Sequence, residues 1–270
     1  MSVSQLRRAA ELLLGPWIIR RHLPSSMGGG LIFVSGRVGG LKYLLKSSRR
    51  WDPELLTIAK LLVSRGDRVW DVGANVGLFS KAAASRAGAE GSVLSIEADL
   101  DAVALLNRTS RHCVRGDAAM TVLPVAVSDS SGFIQFAIAQ RARAPNAIAG
   151  FGSTQTGGVR EIRTLPCVTL DSLLGHFLPP AVLKIDVEGA ELGVLGGAQQ
   201  LLGQARPLIY CEVSARTRVE VAKLLESHAY RLWDGCRFNG TLNDPGVSAA
   251  TSNVVAIPED RIEGFLGRNG

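Results

Sequence analysis

Short apolar runs alternate with amphipathic stretches from residue 67 onward. Residues 68–72 and 92–97 have the length and apolar content of buried strands, and helical patterns follow them at 76–87 and 99–112. A parallel strand is buried on both faces and needs a crossover helix to bring the chain back. The alternation therefore predicts an α/β fold built on a parallel sheet.

The same alternation continues through the second half of the chain. The further strands that it predicts are 121–127, 131–139, 162–168, 181–187 and 207–213, with an antiparallel closing pair at 230–233 and 253–257. Pro124 makes the first of these irregular or edge-like, because proline cannot donate a hydrogen bond to a neighbouring strand. Residues 140–158 are rich in glycine, alanine and polar residues and have no periodicity, which predicts a long loop of the kind that often forms a lid.

Positive charge is concentrated at the start of the chain. The formal net charge is +6, and residues 1–50 carry nine lysines and arginines against Glu11 alone. We therefore predict a basic N-terminal extension over residues 1–50 and one main domain over residues 51–270. A protein that binds nucleic acid needs its positive charge around its cleft, so this distribution excludes nucleic acid as the main partner.

The extension contains a short apolar segment, residues 11–19, between pairs of arginines. A membrane-spanning helix needs about 20 apolar residues, and Pro16 and the trailing arginines do not suit a signal peptide. Two interpretations stay open for residues 1–50. They contact an anionic membrane surface peripherally, or they pack on the main domain or stay disordered. Either way the sequence predicts a cytoplasmic protein, membrane-associated at most at its surface.

Cysteine spacing gives no sign of a zinc site or a disulfide framework. The four cysteines lie far apart in the sequence, and no pair has C-x-x-C spacing. We therefore predict reduced thiols.

The strongest chemical signal is Asp71-Val-Gly-Ala-Asn-Val-Gly77, directly between a predicted strand and a predicted helix. Gly73 and Gly77 allow a ligand to approach the backbone closely. A dinucleotide site has three glycines here and a bare helix N-terminus for pyrophosphate. In this chain Asn75 stands at the middle position, and an acid precedes the first glycine by two residues. Asp71 would repel a phosphate and attract a sulfonium ligand with an ammonium group, which favours S-adenosylmethionine over NAD.

Glu97 stands at the end of the next predicted strand, 26 residues after Asp71. A carboxylate at this position can accept hydrogen bonds from both ribose hydroxyls of an adenosine. We therefore predict that Glu97 binds the ribose.

Charged residues interrupt the strand that ends in Lys184-Ile-Asp-Val-Glu-Gly189. Alternation puts Lys184 and Asp186 on one face, with Asp186 near the carboxyl edge where ligands of open α/β sheets bind. An ion pair between the two would be a purely structural explanation. We favour a functional cluster in which Asp186, Glu188 and Glu212 are the candidates for a general base. Asp186 and Glu188 are also candidate ligands of a hard divalent metal ion.

Five segments together resemble the FkbM family of methyltransferases, in that family's order and spacing. They are Asp71-Val-Gly-Ala-Asn-Val-Gly77, Ser95-Ile-Glu-Ala98, Ala126-Val-Ser128, Thr169-Leu-Asp171 and Lys184-Ile-Asp-Val-Glu-Gly-Ala-Glu191. The resemblance covers about residues 50 to 257. One departure is Ala98, where many members have proline. The glycine loop alone indicates only a class I methyltransferase, and the segment from Lys184 narrows it to this family.

The resemblance implies a class I methyltransferase (Rossmann-like) fold, with a seven-stranded, mostly parallel sheet and helices on both faces. It implies S-adenosylmethionine as methyl donor and a hydroxyl acceptor on a small molecule, such as a sugar or another natural product, or on a glycolipid. The implied contacts of the methionine portion are Asp71, Gly73, Ala74, Asn75 and Gly77, with Glu97 on the ribose and Ser128 or Asp129 near the adenine.

Two other functions stay open from the sequence. One is a Rossmann-type NAD(P) oxidoreductase, against which the missing third glycine weighs. The other is a non-catalytic domain that keeps the pocket, against which the retained Lys184, Asp186 and Glu188 weigh. The sequence carries no code for the acceptor, for metal dependence or for the oligomeric state.

Overall fold

The computed structural model describes residues 17–36, 38, 43, 51–139, 147–148, 159–242, 246–248 and 251–269. In chain order its strands are β1 Ile18–His22, β2 Leu31–Ser35, β3 Arg68–Val72, β4 Ser92–Ile96, β5 Ala119–Leu123, β6 Ala126–Val127, β7 Gly132–Ala139, β8 Ala147–Ile148, β9 Val159–Val168, β10 Val182–Ile185, β11 Leu208–Glu212, β12 Tyr230–Asp234 and β13 Asn253–Pro258. Its α-helices are α1 Pro53–Leu62, α2 Leu78–Ala87, α3 Leu100–Arg111, α4 Leu170–Leu173, α5 Glu191–Gly196, α6 Arg218–Ser227 and α7 Ile262–Asn269, and a π-helical turn covers Leu201–Ala205.

A seven-stranded sheet in the order β12-β13-β11-β10-β3-β4-β5 forms the centre of the fold. Strands β3, β4, β5, β10 and β11 are mutually parallel, and β13 pairs antiparallel with both β11 and β12. Apolar cores lie on both faces of this sheet. The predicted α/β fold, with its mostly parallel sheet and antiparallel closing pair, is confirmed. The carboxyl ends of β3, β4 and β10, which carry the candidate site residues, are adjacent.

The strand predicted at 121–127 is wrong as a single element. The chain forms β5, which ends at Leu123 in the central sheet, and then β6, which begins at Ala126 in a separate four-stranded sheet of order β6-β9-β7-β8. Pro124 lies between them and cannot donate to either ladder. The break carries the chain from one sheet into the other. Of the loop predicted at 140–158, only residues 147–148 lie within the described residues, where they pair with β7.

Strands β1 and β2 form an antiparallel hairpin that packs on the main domain. Ile32, Phe33 and Val34 are buried in the core shared with α2 and α3. Residues 18–22, part of which belongs to the apolar segment discussed above, are extended, and residues 11–16 lie outside the described residues. Among the described helices, none is long and apolar enough to cross a membrane.

Candidate active site

The loop between β3 and α2 has the backbone geometry that its glycines predict. Gly73, Asn75 and Gly77 all have positive φ, of 74°, 52° and 88°. A Cβ at position 73 would overlap the backbone carbonyl oxygen of Asp186. The two chain segments therefore approach as closely as they do because residue 73 is a glycine. The N–H groups of Gly73 and Ala74 donate to the carbonyl oxygen of Ile96, at 2.9 and 3.0 Å.

Asp71 faces the interior of the protein behind this loop. Its side chain is fully buried, its Oδ2 accepts a hydrogen bond from Ser80 Oγ at 2.5 Å, and its Oδ1 lies 3.1 Å from Lys184 Nζ. Ser95 Oγ in turn donates to Ser80 Oγ at 2.8 Å. The carboxylate of Asp71 is therefore not exposed at the surface of the site, and its direct contact with a cofactor stays a prediction. The position suits a residue that holds the loop through Lys184 and Ser80.

Glu97 links the glycine loop to the turn after β4. Its Oε2 accepts from the N–H of Asn75 and its Oε1 from the N–H of Asp99, both at 2.7 Å. Burial raises the pKa of Glu97 to about 7, although these two hydrogen bonds act in the opposite direction. Each carboxylate oxygen keeps a second lone pair. Glu97 can therefore fix the loop and still accept hydrogen bonds from ligand hydroxyls.

Lys184 is surrounded by oxygen atoms. Its Nζ donates to the carbonyl oxygen of Gly73 at 2.7 Å and lies 3.1 Å from Asp71 Oδ1 and 3.3 Å from Asp186 Oδ2. The register of β10 beside β3 puts Lys184 directly opposite Asp71. Burial lowers the pKa of Lys184, but Asp186 and Asp71 outweigh it, and the net shift is upward. The ion pair with Asp186, which was the structural alternative, is present, and the same Nζ also contacts the buried Asp71 and the carbonyl oxygen of Gly73 in the glycine loop.

Three acids surround the carboxyl end of β10. The side chain of Asp186 is 30% exposed, and Glu212 is the last residue of the neighbouring strand β11. Desolvation and then the charge of Asp186 raise the pKa of Glu212 to about 8, and they raise that of Glu188 to about 7. With a pKa of about 8, Glu212 is mostly protonated at neutral pH.

Glu188 has a neighbouring acid, Glu191, that the sequence analysis did not single out. Glu191 is buried, where it accepts from Gly189 N–H at 2.6 Å and from Thr217 Oγ1 at 2.9 Å and so shapes the turn that carries Glu188. Glu188 itself has a positive φ of 53°. A buried glutamate that starts a helix gave no separate signal, because acids are common in a first helical turn.

A second polar group lies beside Glu212. Tyr210 Oη and Asn253 Nδ2 both donate to Glu54 Oε1, at 3.1 and 2.7 Å, and Asn253 pairs with Glu212 across β11 and β13. Burial raises the pKa of Tyr210, and the negative charges of Glu54, Glu212 and Asp186 raise it further. Tyr210, Glu54 and Asn253 are 43 or more positions apart in sequence, so only the tertiary structure brings them together.

Ser128 and Asp129 lie at the end of β6. Ser128 N–H donates to the carbonyl oxygen of Val168, and the Ser128 carbonyl packs so closely on Gly197 that a Cβ there would overlap it. These contacts place both residues against α5 and the chain that follows it. A contact of Ser128 or Asp129 with adenine stays a prediction.

The oxygen atoms at this edge suit a cationic, hydroxylated ligand. Asp186 is partly exposed, Asn75 is exposed, and Glu97 is 9% exposed beside them. Carboxylates favour ammonium and sulfonium groups and accept from ribose hydroxyls, so the residues fit S-adenosylmethionine. Among the described residues, no group of three or more His, Cys, Asp or Glu side chains is arranged to hold a metal ion. The metal role of Asp186 and Glu188 stays a prediction.

Known proteins match this part of the chain. The sequence profile of the methyltransferase FkbM domain matches residues 71–232. The hexuronic acid methyltransferase AglP of Haloferax volcanii is 31% identical over 162 residues, which are 59% of this chain and 61% of AglP. The chain thus spans about three fifths of that curated relative.

Two solved structures are also similar to this chain. The methyltransferase FkbM of Methylobacillus flagellatus has a TM-score of 0.49 and 13% identity, covering 74% of this chain and 47% of its own. An S-adenosylmethionine-dependent O-methyltransferase of Thermotoga maritima has a TM-score of 0.41 and 14% identity, and the match covers 77% of this chain and 65% of the Thermotoga chain.

Proposed function

The chain belongs to the FkbM methyltransferase domain family, and we propose that it transfers the methyl group of S-adenosylmethionine to a hydroxyl group of a sugar or another hydroxylated natural product. The observation that carries the proposal is the junction of the glycine loop with the end of β10. Gly73 lies against the Asp186 backbone, and Lys184 joins both segments. The candidate cofactor loop and the candidate base are therefore neighbours.

Cofactor binding is assigned to the loop and to Glu97. The backbone from Gly73 to Gly77 would hold the methionine portion, and Glu97 would accept from the ribose hydroxyls. S-adenosylmethionine, when bound, supplies a methyl group activated by the sulfonium charge. Asp71 does not need to touch the ligand in this scheme, because its charge is matched by Lys184 inside the fold.

Asp186 is assigned the role of general base. The acceptor hydroxyl would attack the methyl carbon of the bound donor, S-adenosylhomocysteine would leave as the S–C bond breaks, and the hydroxyl proton would pass to Asp186. Lys184 orients Asp186, with its Nζ 3.3 Å from Asp186 Oδ2. Near-attack positioning is worth about 7–11 kcal/mol in favourable cases, so binding both reactants at this edge supplies much of the rate. Glu188 and Glu212 would contact the acceptor, or Glu188 would share a metal ion with Asp186.

Sugar acceptors are favoured because the matched relative is named as a hexuronic acid methyltransferase. A glycolipid acceptor is the variant of this proposal that the basic residues 1–50 support, since an anionic membrane surface would attract them. Such contact would be peripheral and on the cytoplasmic face.

The test has a binding arm and a turnover arm. S-adenosylhomocysteine should raise the melting temperature of the protein, and NAD should not. Labelled S-adenosylmethionine is then supplied with neutral sugars, uronic acids and glycolipids, each with and without a chelator. Stabilisation by NAD alone would replace the proposal with the oxidoreductase. Binding of S-adenosylhomocysteine without turnover on any acceptor would favour the non-catalytic domain.

A further inference from the structure

We propose that Thr109 is a positioning residue that couples the N-terminal hairpin β1–β2 to the glycine loop, so that docking of the hairpin sets the geometry of the cofactor site. This inference rests on the proposed function, because it assumes that the loop binds S-adenosylmethionine. Thr109 itself does not reach the site. It lies in the last turn of α3 and is fully buried.

The hydroxyl of Thr109 joins two backbone groups from distant parts of the chain. Thr109 Oγ1 accepts from the N–H of Phe33 on β2, at 3.2 Å, and donates to the carbonyl oxygen of Val76 in the glycine loop, also at 3.2 Å. Phe33 and Val76 are both buried. A buried backbone group without a partner is costly, and a hydroxyl is the smallest side-chain group that both donates and accepts. Thr109 meets both needs at once.

The hairpin also packs on α2, the helix that directly follows the glycine loop. A Cβ at Gly28 would overlap the Ser85 side chain, and a Cβ at Gly30 would overlap that of Lys81. The two glycines thus let the turn between β1 and β2 lie directly on α2. The hairpin also reaches the end of α3, because the ring of Phe33 lies 4.8 Å from the ring of His112, the residue after that helix. It therefore contacts both α2 and α3, the helices next to the glycine loop.

The loop is held by a side chain at each of three points. Lys184 binds the carbonyl oxygen of Gly73, Glu97 binds the N–H of Asn75, and Thr109 binds the carbonyl oxygen of Val76. The first two side chains lie at the edge where the ligand would bind. Thr109 is the one of these three that connects the loop to the N-terminal hairpin, which precedes the matched family region at residue 71.

The test compares Thr109→Val with Thr109→Ser by calorimetric titration of S-adenosylhomocysteine, at a temperature where circular dichroism shows each variant folded. Thr109→Val should weaken binding by roughly tenfold, as loss of a buried hydrogen bond would. Thr109→Ser keeps the hydroxyl and should bind within about twofold of the unaltered protein. Ser110→Ala is the matched control, because Ser110 Oγ donates only locally, to Asn107 O at 3.0 Å. It should leave the affinity unchanged.

A second variant tests the hairpin side of the coupling. Gly28→Ala disturbs the docking of the hairpin on Ser85 while leaving Thr109 intact, and it should weaken binding of S-adenosylhomocysteine several-fold. If Thr109→Val does not fold, Gly28→Ala still tests whether the hairpin is coupled to the glycine loop. A lower melting temperature with unchanged affinity in the folded variants would overturn the coupling and leave Thr109 a purely structural residue. Failure of the unaltered protein to bind S-adenosylhomocysteine would instead overturn the proposed function.

Discussion

Lys184 on β10 donates a 2.7 Å hydrogen bond to the carbonyl oxygen of Gly73, across the boundary between β10 and the glycine loop. The same ammonium group lies within 3.3 Å of Asp71 and of Asp186. One buried cation thus neutralises an interior acid, orients an acid at the edge and fixes the loop between them. The negative charge that remains for a ligand belongs to Asp186 and its neighbours more than to Asp71.

Lys184→Met should destabilise the protein, because it leaves Asp71 buried without its partner. Breaking a buried ion pair from one side costs about 3–5 kcal/mol, and chemical denaturation would measure the loss in free energy of unfolding. The double variant Asp71→Asn, Lys184→Met removes both charges and should recover part of the loss. A double variant no more stable than Lys184→Met alone would show that the unpaired charge is not the cause.

Asp186→Asn should abolish methyl transfer, because the amide cannot accept the hydroxyl proton. Loss of a general base lowers the rate by about 10²- to 10⁴-fold. Affinity for S-adenosylhomocysteine should stay within a few-fold, since the loop keeps its bonds to Glu97 and Lys184. Asp260→Asn, which removes a surface ion pair with Arg206, is the control for both measurements. Undiminished turnover in Asp186→Asn would remove the base assignment.

Glu212→Gln should keep most of the activity at pH 7. Burial and the charge of Asp186 raise the pKa of Glu212 to about 8, so Glu212 is mostly protonated there. Glutamine offers a donor in the same place. The difference from Asp186→Asn should be a factor of at least about 10 in kcat. Equal losses in the two variants would mean that Glu212 acts in its charged form.

Glu97→Gln should weaken the binding of S-adenosylhomocysteine by roughly tenfold or more, because the amide nitrogen cannot accept from a ribose hydroxyl or from Asn75 N–H. Calorimetric titration provides the measurement. Glu90→Gln is the matched control, because Glu90 is exposed and lies before β4, whereas Glu97 lies directly after β4. Equal affinities in the two variants would contradict the ribose assignment.

Stability should fall as pH rises from about 5 to 8. The pKa of Glu97 is raised from 4.5 to about 7 in the folded protein, so between these values the folded state binds more protons than the unfolded state. The free energy of unfolding then decreases with rising pH, by on the order of 2 kcal/mol for Glu97. Glu188 and Glu212 act in the same direction. Denaturant titrations at several pH values would show a shallower decline in Glu97→Gln.

The main sheet could be predicted because its strands are short apolar runs separated by helical patterns. Alternation along the strand also predicted that Lys184 and Asp186 share a face, and Lys184 Nζ lies 3.3 Å from Asp186 Oδ2. The prediction of a single strand across Pro124 was wrong, because local apolar content does not show where the chain passes from one sheet to another. Burial of Asp71 was missed for a different reason: sequence does not show that a lysine from β10 lies opposite it.

Thr109 left a weak signal that could have been recognised. It occupies the apolar stripe of α3 that includes Ala102, Leu105 and Leu106. A polar residue at such a position needs a partner, but the partners, Phe33 and Val76, follow from tertiary packing. The group formed by Glu54, Tyr210 and Asn253 depends in the same way on tertiary packing, because helix α1 supplies Glu54 and the paired strands β11 and β13 supply the other two.

The insertion of β13 between β11 and β12 has a consequence for biosynthesis. Strand β11 keeps an open hydrogen-bonding edge until residues 253–258 have left the ribosome, and an open edge is a site of mispairing for a nascent chain. The glycine loop and Glu97, by contrast, are translated within the first 97 residues. The end of β11, where Asn253 pairs with Glu212, is thus the last part of the candidate site to be assembled, and late truncations should yield aggregation-prone chains.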